Sequence, residues 1–180
     1  MRIYTKTGDD GTTGLLYGGR VAKDSAVIDA NGAVDEAQAS LGTVRAEVER
    51  GSELDELLIG LERDLYVLMA EIATEDRNRH KLKPGVSRVT ADMISALEVH
   101  IDELSERFPA IKDFVIPGHD RVAAALDVAR TATRRAERAS VRAEVPDEVV
   151  MYLNRLSDLL WTMARWQEHG DSLISRTARP

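Results

Sequence analysis

The chain has 180 residues, 43% of them hydrophobic, enough for one domain with a substantial core and too apolar for global disorder. Its 24 basic and 31 acidic side chains leave a formal charge of −7, a field that repels polyanions and argues against general binding of nucleic acid or membrane surfaces. Cysteine is absent, no charged-then-apolar leader pattern opens the chain, and no apolar run nears the roughly 20 residues of a bilayer span, so a cytoplasmic protein is expected.

The first segment in chain order is YTKTGDDGTTGL, Tyr4–Leu15. Gly8, Gly11 and Gly14 lie among Thr5, Thr7, Thr12 and Thr13, with Lys6 as the one cation and Asp9 and Asp10 in the middle. Glycine lets a ligand approach the main chain closely, and exposed amide hydrogens can then form an anion-binding nest. Gly18, Gly19, Arg20 and Lys23 extend that chemistry. The pattern suits a polyphosphate, although neither a Walker A loop nor a dinucleotide fingerprint is present. A plain surface turn is the alternative, and a calcium loop is weaker because the downstream carboxylates of an EF-hand are missing. Strand alternation is hinted at only in Arg2–Tyr4.

Five stretches then carry helical periodicity. Val27, Ala30, Val34, Ala37, Leu41, Val44 and Val48 form the first stripe, and Leu54, Leu58, Leu61, Leu65, Leu68 and Ile72 the second, with Ser52 placed to cap it. Met93, Leu97, Ile101 and Leu104 mark a third helix after the polar stretch Thr74–Arg88. A fourth spans roughly Asp120–Glu144, and a fifth starts near Pro146, with Leu153, Leu156, Leu160 and Met163 on one face. Pro146 is expected in the first turn of that helix. Short loops between such stripes imply an all-α helix bundle. One domain over 1–180 is expected: an N-terminal segment 1–24, a bundle 25–170 and a frayed tail 171–180.

Three places on the helices and one in a loop invite a chemical reading. In ARTATRRAERA, Arg130, Arg134 and Glu137 share a stripe beside the buried-type positions Leu126, Ala129, Thr133, Ala136 and Ser140. They form either a guanidinium clamp for phosphates or a solvated basic face. Asp35 adjoins the first apolar stripe and wants a cation, unless it is a surface acid like Glu36. Asn154 either contacts a ligand or bridges two helices. Phe114, in the loop DFVIPG, either plugs the core or lines a pocket. His80, His100, His119 and His169 show no metal-ligand spacing, and no nucleophile elbow occurs, so hydrolase readings drop out.

Together, YTKTGDDGTTGL with GGRVAKD, then VDEAQASLG, FVIPG with ARTATRRAERA, and YLNRLSDLLW resemble the PduO-type ATP:corrinoid adenosyltransferases across roughly Arg2–Arg165. The resemblance implies a homotrimer of five-helix, ferritin-like bundles that moves the 5′-deoxyadenosyl group of ATP to cob(I)alamin. MgATP and the reduced corrinoid are then the substrates, and Mg²⁺ sits on the phosphates without a protein-built metal site. It further implies that Thr5–Thr13 wraps the triphosphate with Lys6, Gly19, Arg20 and Lys23. Arg130, Arg134, Glu137 and Asn154 of a neighbouring subunit complete the site. Asp35 then pairs with Arg130 across the interface, and Phe114 lies against the corrinoid and displaces its lower axial ligand. Arg130, Arg134 and Asp35 are the catalytic candidates. Trp161 stands where the family usually has phenylalanine. Product hand-over to an adenosylcobalamin-dependent enzyme is a further implication. An ATP-binding helical oligomer, or an NTPase or kinase, remains the alternative.

Overall fold

The computed structural model describes residues 3–175; of the strand expected over Arg2–Tyr4, Ile3 and Tyr4 are in no strand, while Arg2 and the tail 176–180 lie outside the described residues. Five long helices carry the chain, as the stripes predict: α1 (Ala26–Ala46), α2 (Glu53–Ile72), α3 (Ala91–Ser105), α4 (Arg121–Arg142) and α5 (Asp147–Gln167). α1 packs against α2 and α4, and α5 against α4 and α3, so α4 lies between α1 and α5. Its composition permits this place. Ala123, Ala129, Ala132, Ala136 and Ala139 are buried and small, which lets both neighbours approach its backbone closely. Leucines of α2 and α5 fill the remaining volume: Leu58, Leu65, Leu68, Leu153, Leu156 and Leu160 are fully buried. Truncating any one to alanine costs about 2–5 kcal/mol, depending on how far the site collapses.

The helix ends follow local chemistry. Ser52 Oγ accepts from Asp55 N at 3.2 Å, Thr90 Oγ1 from Met93 N at 3.3 Å, and Asp120 Oδ1 from Ala123 N at 2.9 Å. Two details differ from the sequence expectation. Pro146 occupies the N-cap position of α5, outside its first turn, with extended ψ of 143°. α1 stops at Ala46, so Val48 packs on the core from beyond the helix.

Two further elements are absent from the sequence reading. Thr74–Arg88 is not a simple polar loop but holds a 3-10 turn at Asp76–Lys81. The N-terminal segment folds into a two-stranded antiparallel hairpin, β1 (Thr12–Gly14) and β2 (Arg20–Ala22), in register Thr12↔Ala22, Thr13↔Val21 and Gly14↔Arg20. Its turn is docked on the bundle: Leu16 N donates to Ala73 O at 2.8 Å, and the Lys81 ammonium lies 5.7 Å from the centre of the Tyr17 ring. Gly19 has φ +99° with the Glu75 carboxylate against its α-carbon, so a side chain there meets both backbone strain and a collision.

A buried polar tie joins α2 to α5. Tyr152 is fully buried, and its hydroxyl donates to Asp64 Oδ2 at 2.9 Å. Burial pushes the Asp64 carboxyl above its ordinary value of 3.8, and the Tyr152 hydrogen bond pulls part of the way back. A carboxyl with a raised folded-state pKa holds its proton more tightly folded than unfolded. Its contribution therefore favours folding below the ordinary carboxylate range and fades as pH rises through the folded value. Tyr152→Phe should destabilise the protein by about 1–2 kcal/mol at neutral pH. Acid should shrink that deficit, because the hydroxyl's bond to an ionised carboxylate is the stronger one. Thermal melts of the two proteins at neutral and mildly acidic pH check this; equal deficits at both would reject it.

Candidate functional site

The polar N-terminal segment is organised by its own arginine. Arg20 donates from Nε to Thr12 Oγ1 at 2.9 Å and from Nη2 to the Thr7 carbonyl, which folds Thr7–Thr12 over the hairpin. Asp10 Oδ1 accepts from both the Thr12 hydroxyl (2.8 Å) and the Thr12 amide (2.9 Å). The Thr12 hydroxyl, then the amide, hold the Asp10 carboxyl below its usual range. The Thr5 and Thr7 hydroxyls pair at 2.9 Å, and Lys6, at φ +61°, lies 5.9 Å from the centre of the Tyr4 ring. Gly8 is packed closely: a Cβ there would meet Lys23 Nζ and Thr12 O, each at 3.1 Å. Residues Thr5–Thr13, Arg20 and Lys23 are thus gathered into one exposed strap. Arg20 faces inward onto the strap, and Gly19 serves the hairpin turn.

On α4, Arg130, Arg134 and Glu137 line one side over two helical turns, a span of about 10 Å. Glu137 Oε1 accepts from Asn154 Nδ2 of α5 at 3.0 Å, so Asn154 is both an interhelical bridge and a neighbour of the arginine stripe. Arg134 is exposed, and among the described residues its guanidinium has no ion pair. Arg130 is half-buried and donates from Nε to Asp127 Oδ1 at 3.1 Å. Asp35 is exposed on α1, and within the chain no described contact joins it to Arg130; its neighbour Glu36 pairs with Arg135 instead.

Arg130 also lines a cavity of about 520 Å³ with mixed apolar and charged walls. Ile111, Phe114, Val115, Pro117 and Trp161 of α5 give it apolar surface, and Lys112, Asp113, Asp127 and Arg165 line it with charge. Phe114 is 79% exposed, so it contributes little to the core and stands at the mouth. Trp161 stacks edge-on against Phe108 at 6.4 Å between ring centres. The tail completes the loop: Ile116 N donates to Leu173 O at 2.7 Å and Ser175 N to Phe114 O at 2.8 Å. Tail residues 171–175, expected to fray, are instead engaged as far as Ser175.

A single chain does not bring the strap to the arginine pair. Lys23 lines a different cavity, of about 980 Å³, whose α4 wall is Arg135, Arg138 and Arg142. Sequence reasoning also missed Asp127 and Arg165, which meet across 38 positions. The available signal was Asp127 next to Leu126 on an alanine face, a charge where a small apolar residue fits.

The family model for cobalamin adenosyltransferase matches residues 3–167. A corrinoid adenosyltransferase of Citrobacter freundii is 42% identical over 171 residues, covering 93% of this chain and 95% of the relative. A corrinoid adenosyltransferase of Mycobacterium tuberculosis is 39% identical over 189 residues, covering 97% of each. Among solved structures, a phenylalanine-to-histidine variant of a Lactobacillus reuteri PduO-type ATP:corrinoid adenosyltransferase, complexed with cobalamin and ATP, superposes with a TM-score of 0.88. It is 30% identical and covers 99% of this chain and 98% of its own. An arginine-to-lysine variant from the same organism, complexed with ATP, gives 0.86 at 30% identity, covering 97% of this chain and 100% of that one. Matches of that length over strap, bundle and arginine stripe alike leave one conclusion: the chain belongs to the cobalamin adenosyltransferase family, as a PduO-type member.

Proposed function

We infer that the protein transfers the 5′-deoxyadenosyl group of ATP to the Co(I) of a reduced corrinoid, giving an adenosylated corrinoid and triphosphate. The observation that carries this reading is the position of Arg130. It stands where the arginine stripe meets a cavity that carries Trp161 and the exposed Phe114, so a phosphate chain and a flat ligand with an apolar face can meet there.

The chemistry asks little of the protein as acid or base. Co(I) is the nucleophile: a cobalt–carbon bond forms at C5′, and the carbon–oxygen bond breaks, its electron pair leaving with triphosphate. The chain must align the reactants and stabilise charge on the leaving group. Arg130 and Arg134 supply forked donors for the phosphates, and the Gly–Thr strap supplies amide and hydroxyl hydrogens with Lys6 and Lys23. Glu137 and Asn154, already hydrogen-bonded, suit the polar edges of the nucleoside. Mg²⁺ is proposed to ride on the phosphate oxygens, hard donors that suit it. Phe114 is proposed to press on the corrinoid face and keep water and an axial ligand away.

Because Lys23 and Arg130 line different cavities of one chain, we propose that ATP binds between subunits of a homotrimer, with Asp35 of one meeting Arg130 of the next. Cytoplasmic placement and hand-over of product to an adenosylcobalamin-dependent enzyme belong to the same proposal. One assay tests the activity: protein, MgATP and chemically reduced cobalamin are mixed without oxygen. Adenosylcobalamin with intact triphosphate is expected. ADP or inorganic phosphate would make the protein a kinase or NTPase, and binding without turnover a nucleotide-binding oligomer.

A further inference from the structure

Along the Phe114 cavity lies a row of charges that the reaction as described does not use. Arg165 of α5 is only 1% exposed, an expensive place for a guanidinium unless it is fully paired. Its Nη2 donates to Asp127 Oδ2 at 2.7 Å and to Glu168 Oε1 at 3.0 Å. Its guanidinium carbon lies 5.7 Å from the centre of the Trp161 ring. The Ser172 hydroxyl hydrogen-bonds to Glu168 from the tail. Asp127, itself 5% exposed, turns its other oxygen, Oδ1, to Arg130 Nε.

The two carboxylates and two guanidiniums sum to zero formal charge; Arg165 Nε lies 3.0 Å from Glu168 Oε2 but makes no hydrogen bond, and Arg130 is the member that reaches outward. There one guanidinium edge, Nε, is engaged by Asp127. The planar fork is then oriented by a carboxylate whose opposite oxygen is held by Arg165. An arginine on a free stem samples many rotamers, and fixing them at the moment of reaction costs entropy. Here that cost is met on folding.

We propose that Asp127, locked by buried Arg165, is a positioning residue for adenosyl transfer: it orients Arg130 toward the leaving phosphates. This rests on the nucleotide reading of Arg130 given above.

The test is a mutant cycle on the full-length protein. Asp127→Ala leaves buried Arg165 with Glu168 alone and should lower the melting temperature. Assayed well below that melt, it should lose roughly 10–50-fold in kcat with a small change in KM for ATP, since the displaced group acts mainly on the leaving group. In an Arg130→Ala background, Asp127→Ala should add less than about twofold, because its lever is already gone. Full multiplication of the two effects would overturn the proposal, as would unaltered kcat in Asp127→Ala. Should Asp127→Ala fail to fold, Arg165→Met with Asp127 intact serves instead. Arg165→Met must then lower kcat in the wild-type background and add nothing in the Arg130→Ala one. If the wild-type protein itself forms no adenosylcobalamin, the parent reading fails, an outcome separate from either result of the cycle.

Discussion

Arg134→Ala should lower kcat for adenosylcobalamin formation by about 10²–10³-fold, the usual effect of removing one donor aimed at developing negative charge. The fold should scarcely notice. Arg134 is exposed on α4, its guanidinium makes no ion pair among the described residues, and alanine is the better helix former. A melting temperature within a degree or two of the wild type, beside collapsed turnover, is therefore the expected pair of results. The contrast with Arg130 is instructive. Arg130 is half-buried and tied to Asp127, so its removal takes one of two partners from a buried carboxylate and mixes stability with catalysis. Arg134 separates the two. Normal turnover by Arg134→Ala, measured at saturating MgATP, would remove it from the clamp.

Phe114→Ala should act on the other substrate. The side chain is 79% exposed and projects from a loop held by main-chain bonds to Leu173 and Ser175, so its loss leaves loop and core in place. What disappears is the apolar surface offered to a flat ligand at the cavity mouth. Burial of a phenylalanine against such a ligand contributes about 1.5–3 kcal/mol, which corresponds to roughly 10–150-fold in rate or affinity. The loss should appear in kcat/KM for the reduced corrinoid, while ATP affinity by equilibrium binding stays within about twofold. A parallel loss of ATP affinity would mean that Phe114 serves the nucleotide, and the assignment of the cavity would have to change.

The bundle was legible because its helices are long and aliphatic. Six apolar positions of α2 recur at helical spacing and all six are buried. The hairpin was not legible, because each strand has three residues and neither shows alternation of apolar and polar side chains. Its turn is docked on the bundle by the Leu16–Ala73 bond to the end of α2, a contact over 57 positions that no local pattern encodes. At the site, the residues were readable as types: glycine and threonine for phosphates, arginines at helical spacing, a loop phenylalanine. Their grouping was not. Arg165 reads as an ordinary cation in the last turn of a helix, favourable to the dipole, until the fold buries it under Trp161. Asn154 showed the limit of an either-or reading, since it bridges helices and borders the stripe at once.

The seam between the tail and the Phe114 loop has a consequence for variation within the family. It is made by amide and carbonyl groups, with Val115 bridged to Ile174, and backbone polarity is the same for nearly every amino acid. Evolution can therefore rewrite residues 173–175 freely in identity while keeping the loop in place, and a comparison of side chains alone would undervalue the tail. Proline is the exception. At position 175 it has no hydrogen to give Phe114 O, and the mouth of the cavity would lose a stitch that no other substitution there removes.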